Sequence, residues 1–290
     1  MNKYYLTLPI RVYDVNVDAS FHTHGLPSLS GIDGFCHALM RSINKHCDES
    51  YQHAGFSYVL NSVEYKLSKK RRVACEFTDR GKTIASMADD KLATIDQTLI
   101  IMFYSDKDKA HFYAEDRLNR SLSSLSFLGG HFTSNTPNSN EDCEPVCLFD
   151  GTSEGFVQAL RMCRRNSFIV EDSEHLLECD SVSGSNRWEK FTTLMTRDKE
   201  PDKPTRSKPL GHYIAAHVGY ALLESPRIRK NTRDSDTFHS YAETVISPVR
   251  CRTVSSALID IKGGKYLWSN SALNANDYKD NLYIVYGVYI

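Results

Sequence analysis

The 290-residue sequence has no run of 18 apolar residues, so nothing in it reads as a membrane-spanning helix, and no membrane partner is expected. It has no Gly-x-x-x-x-Gly-Lys-Ser/Thr segment, which removes the usual cradle for a nucleoside triphosphate. Its eight cysteines do not make a zinc motif: Cys143 and Cys147 have no second pair at finger spacing, and Cys163 and Cys179 stand alone. No metal and no cofactor are therefore expected. The first residues lack the continuous apolar core and small-residue cleavage site of a signal peptide, so a cytoplasmic protein with reduced thiols is expected. Excess charge is missing too. Thirty-five Lys and Arg against 36 Asp and Glu leave a net charge of −1, so contact with nucleic acid must come from local clusters.

What is present is the composition of a folded globular chain, 41% hydrophobic and 24% charged. Residues 3–17 alternate like strands, with breaks expected at Pro9 and Asp14. A helix follows over about 30–46, with Ser30 as N-cap and Asp33 near the positive end of its dipole. Ile32, Phe35, Cys36, Leu39, Met40 and Ile43 fall on one face of it. A strand leading at once into a buried helix is how a ferredoxin-like or RRM-like unit begins. Residues 56–66, 73–78 and 94–104 read as strands, 112–127 as a helix closed by Gly129-Gly130, and 153–165 and 187–196 as further helices. Strand character returns at 213–223, 265–269 and 282–290. The fold class is α+β with antiparallel sheets. The polar stretch 134–145 is the best internal boundary, dividing 1–133 from 134–290, and 198–209 reads as an exposed connector.

Positive charge is concentrated in three places. Lys69-Lys70-Arg71-Arg72, between two predicted strands, reads as a hairpin tip able to straddle a phosphate backbone, or as a solubilising turn. Arg227, Arg229, Lys230, Asn231 and Arg233 form a loop in which Arg and Lys can grip phosphate and Asn231 can meet a base edge, with Tyr220 and Phe238 nearby as stacking surfaces. Arg164 and Arg165 end a predicted helix, where they also complement its dipole without any ligand. On the first helix, Gly34, His37 and Arg41 share a face. Gly34 either lets helix and sheet pack closely or leaves room for a partner's backbone or phosphate. His37 is either a polar contact to RNA or a half-buried core histidine.

The segment Gly25-Leu26-Pro27-Ser28 to Gly34-Phe35-Cys36-His37-Ala38-Leu39 resembles the N-terminal signature of the five-prime-handle-binding subunit family of type I-F (Csy) CRISPR complexes, in the RAMP superfamily. Further fragments follow in the same order: Leu128-Gly129-Gly130-His131, Arg164-Arg165 with the apolar run after it, and His217–Leu222 with Arg229–Asp234. The resemblance implies a ferredoxin-like (RAMP) core with a β-hairpin extension and a less regular C-terminal part. It implies a non-catalytic subunit that binds the guide RNA, touches other complex subunits and lies near the DNA flanking the target. Two alternatives share the superfamily. One is a guide-processing endoribonuclease, for which His22 and His24 would be the acid–base candidates. The other is a subunit repeated along the guide.

Overall fold

The computed structural model describes residues 1–20, 23–45, 50–66, 69–77, 83–106, 115–132, 146–196, 211–229, 238–270 and 282–290. Both the stretch 134–145 and the connector 198–209 lie outside them. Among the described residues no helix is long and apolar enough to cross a membrane.

The chain begins with β1 (Asn2–Asn16), which runs unbroken through Pro9. It continues through two short strands, β2 (Asp18–Ser20) and β3 (Thr23–His24), into α1 (Leu29–Asn44). Next come β4 (Tyr51–Tyr65), the paired strands β5 (Lys69–Phe77) and β6 (Thr83–Asp90), and β7 (Leu92–Ser105). α2 (Glu115–Ser123), β8 (His131–Phe132), β9 (Cys147–Asp150) and α3 (Ser153–Arg161) complete the first half. The remainder is β10 (Phe168–Asp172), α4 (Arg187–Met195), β11 (His212–Leu222), β12 (Arg227–Ile228), β13 (Phe238–His239), β14 (Ala242–Thr253), α5 (Val254–Ile259), β15 (Leu267–Asn270) and β16 (Leu282–Val288).

β1 lies between β7, which pairs with it from Asn2 to Asn16, and two short strands on its other edge. β9 covers Tyr4–Thr7 and β8 covers Val12–Tyr13. Pro9 falls in the gap between them, where a missing N–H is tolerated. The expected break at Asp14 is a bulge between Val12 and Val15, with Asp14 at φ 58°. Alternate residues of β1 serve two cores. Leu6, Leu8, Ile10 and Val12 pack with α1 and α2 through Leu29, Ile32 and Leu118, and with Phe127 in the turn after α2. Tyr5 faces the opposite side, where Phe156 and Leu160 of α3 and Ala257 of α5 cover the sheet.

β4 is the pivot. One edge pairs with β7 along its whole length, while the other is shared by β15 at Phe56 and β10 at Val59–Leu60. From β10 the pairing passes to β14, β11, β16, β15 and back to β4, a ring of six antiparallel strands. Closing the ring removes exposed strand edges. The C-terminal part, expected to be less regular, supplies five of those six strands. Trp268, fully buried, donates its indole N–H to the Val170 carbonyl (3.2 Å), joining β15 to β10 across the interior. β14 was missed in the sequence because Pro248 interrupts an otherwise polar alternation; it pairs with Ala215 regardless.

Candidate nucleic-acid interface

α1 starts one turn-position earlier than its periodicity suggested. Ser28, not Ser30, is the N-cap, and the Gly31 N–H donates to its Oγ (3.1 Å). Ser30 is buried beside it, bonded to the Ser28 hydroxyl (2.9 Å) and to His217 Nδ1 (3.2 Å), and His217 Nδ1 also bonds Ser28. Burial lowers the His217 pKa, opposed by a bond with the Gly219 backbone.

Asp33 is not a dipole complement at the surface. It is buried at the phase of Leu29, Cys36 and Met40, and it gathers three elements. His53 Nε2 of β4 meets one oxygen at 2.8 Å; Asn270 of β15 and Tyr283 of β16 donate to the other at 2.6 and 2.7 Å. Burial alone would raise the carboxyl's pKa, but these bonds and the His53 imidazole outweigh it, and Asp33 is held below its ordinary value. This network stands behind the outer face of α1, where Gly34, His37 and Arg41 are all exposed. A Cβ on Gly34 would meet nothing within 4 Å, so close helix–sheet packing is not its reason. His37 is likewise no core histidine; its ring lies edge-on to His53 at 6.3 Å.

The run Lys69-Lys70-Arg71-Arg72 is the opening of β5, at the root of the β5–β6 arm and not at a tip. In register it opposes Asp90, Asp89, Ala88 and Met87 of β6, a strand the sequence reading left out. Over residues 66–91 eight Lys and Arg stand against four Asp and Glu, so the arm stays net positive.

Sequence reasoning missed what continues from the arm's root. Lys66 and Arg11 lie over the Tyr13 ring at 5.7 and 5.6 Å, and His131 stacks on it at 6.0 Å. Lys66 also pairs with Asp14 (2.7 Å). Arg11 opposes Asp96 in register, and Asp96 accepts from Arg164 (3.3 Å). Arg164 and Arg165 are exposed, but α3 ends at Arg161, so they sit in the following turn and do not cap the helix as expected. Lys66, Arg11 and Arg164 thus lie along one strip, although they are scattered in sequence.

The second basic segment behaves differently. Glu224 binds Arg229 closely and Arg227 at 3.0 Å, and Arg229 stacks over Tyr241 at 4.5 Å. Partial desolvation raises the Glu224 pKa, but the Tyr241 amide and both guanidinium groups prevail and hold it below the usual value. Lys230, Asn231 and Arg233 lie outside the described residues, as does His22; of His24 only the backbone is described.

The model of one protein family, that of a CRISPR-associated protein (Cas_Csy2), matches residues 6–283, from β1 into β16. The chain belongs to this family. The resemblance carried by Gly25 to Leu39 is thereby shown, and the Cas_Csy2 match takes in the outer face of α1 and both basic segments. No curated protein matches the sequence.

Proposed function

We propose that this Cas_Csy2 family chain is a non-catalytic, cytoplasmic, guide-RNA-binding subunit of a type I-F-like CRISPR surveillance complex, capping the five-prime handle of the guide near the flanking DNA of the target. The observation that carries the reading is the net-positive β5–β6 arm, continued at its root by Lys66, Arg11 and Arg164. A positive strip with an aromatic ring in it suits a polyanion whose bases stack. The order β9–β1–β7–β4, with α1 between β1 and β4 in the chain and α2 between β7 and β9, supports a ferredoxin-like core, as does the packing of both helices on one face. Arg165, Arg41, His37 and Gly34 are further candidate contacts. The reading does not rest on Arg227 and Arg229, which share Glu224; in such complexes the protein reads backbone and geometry while the guide reads sequence.

Replacing Lys69, Lys70, Arg71 and Arg72 together by Ala tests the reading. Affinity for a single-stranded guide RNA should fall, and the slope of log affinity against log salt should flatten by about 0.7 for each lost phosphate contact. The RNA should be recovered intact. An unchanged slope would remove the arm from the interface.

A further inference from the structure

The β12–β13 segment is a second arm, inserted between β11 and β14 as the β5–β6 arm is inserted between β4 and β7. Its described residues have the opposite character. Arg227 in β12 and Arg229 just after it both reach Glu224. The position between them, Ile228, pairs directly across with Phe238. These two side chains are 60% and 67% exposed, and Leu223 and Tyr241 at the arm's root are 59% and 65% exposed. The Leu223 N–H donates to the Tyr241 carbonyl (2.9 Å), so these root residues are adjacent. Arg229 is turned inward onto Glu224 and Tyr241, Arg227 shares that carboxylate while staying exposed, and the apolar groups are turned outward.

We infer that this arm docks a neighbouring protein subunit of the CRISPR complex, inserting Ile228 and Phe238 into an apolar pocket on it; the inference rests on the chain being such a subunit. Three observations favour protein over RNA. Ile228 and Leu223 are aliphatic and offer no face for a base to stack on. Arg229, which could otherwise meet phosphate, is only 23% exposed, held between Glu224 and the Tyr241 ring. Over residues 223–241 four Lys and Arg stand against three Asp and Glu, whereas the first arm carries twice as many cations as anions. An exposed apolar cluster rimmed by paired charges has the anatomy of a protein interface.

The test uses Ile228→Ser/Phe238→Ser in the full chain. Both positions are exposed, so the melting temperature should not change. Reconstitution with the purified protein subunits of a type I-F-like complex and guide RNA, read by native mass spectrometry, should show incorporation reduced at least tenfold. Ile228→Val/Phe238→Leu should assemble normally. Binding of the isolated variant to a 20-nucleotide single-stranded RNA, read by fluorescence anisotropy, should match wild type. Normal incorporation of the Ser variant overturns the inference. An equal loss of RNA binding assigns the patch to RNA and also overturns it, as does a wild-type dimer that the variant abolishes. Wild-type protein that joins no complex would instead overturn the subunit reading, and this is seen before any variant is made.

Discussion

His217 shows how one side chain can tie a helix terminus to a distant strand. Its Nδ1 meets both Ser28 and Ser30, so β11 holds the N-terminus of α1 in place. The neutral ring is required twice over: it is buried, and it lies at the positive end of a helix. Its pKa is depressed in the folded protein, so below the ordinary value of 6.5 the unfolded chain takes up a proton that the folded chain resists. Stability is then complete above that pH and is lost as the pH falls from it toward the folded value. His175 is shifted the same way, so the effect is isolated by comparison with a variant. Wild type should lose more melting temperature between pH 7.5 and 5.5 than His217→Asn, by the equivalent of at most about 1.4 kcal/mol. Equal losses would show that His217 does not titrate in this window.

Among the elements, α1 has the least ordinary design, since its buried face includes a carboxylate and its exposed face a glycine. A glycine within a helix costs about 1 kcal/mol relative to alanine. Nothing surrounds Gly34, so the free protein gains nothing in packing from keeping it. Gly34→Ala should therefore raise stability by roughly 0.5–1 kcal/mol, measured by denaturant unfolding. If the α1 face is a contact surface in the complex, the same variant should weaken assembly while melting higher. A variant that melts higher and assembles normally would leave the glycine without a binding role. The two arms make a similar contrast. Both lengthen a hairpin of the sheet, yet one is net positive and the other carries balanced charge with exposed apolar side chains.

For the whole molecule, the ring of six strands makes the C-terminal segment indispensable, because β15 and β16 close it against β4 and β11. Trp268 fills the interior, so Trp268→Ala should cost about 3–5 kcal/mol in denaturant unfolding through the cavity it leaves. Trp268→Phe keeps much of the volume and loses the bond to Val170, for a cost nearer 1–2 kcal/mol. Equal effects of the two would mean that the hydrogen bond, and not the filled volume, holds β15 in place.

Local periodicity made β1, α1, β4, β7, β11 and β16 legible in the sequence, because alternation of two and a repeat of 3.6 are visible within a few residues. The segment from Gly25 to Leu39 likewise determined the family, since its spacing is local. Basic runs were visible as composition, but their roles were not. Whether Arg229 faces phosphate or Glu224 depends on a turn, and Lys69–Arg72 became a strand only because Thr83–Asp90 pairs with it. Tertiary structure alone decided the ring, the Asp33 network and the strip beside Tyr13. Asp33 meets Asn270 and Tyr283 across 237 and 250 residues, and Ser28 meets His217 across 189. Contacts at that separation impose no period on the chain. One local sign did exist: Asp33 stands in phase with Leu29, Cys36 and Met40, and a carboxylate at a core position needs partners that only the folded chain can bring to it.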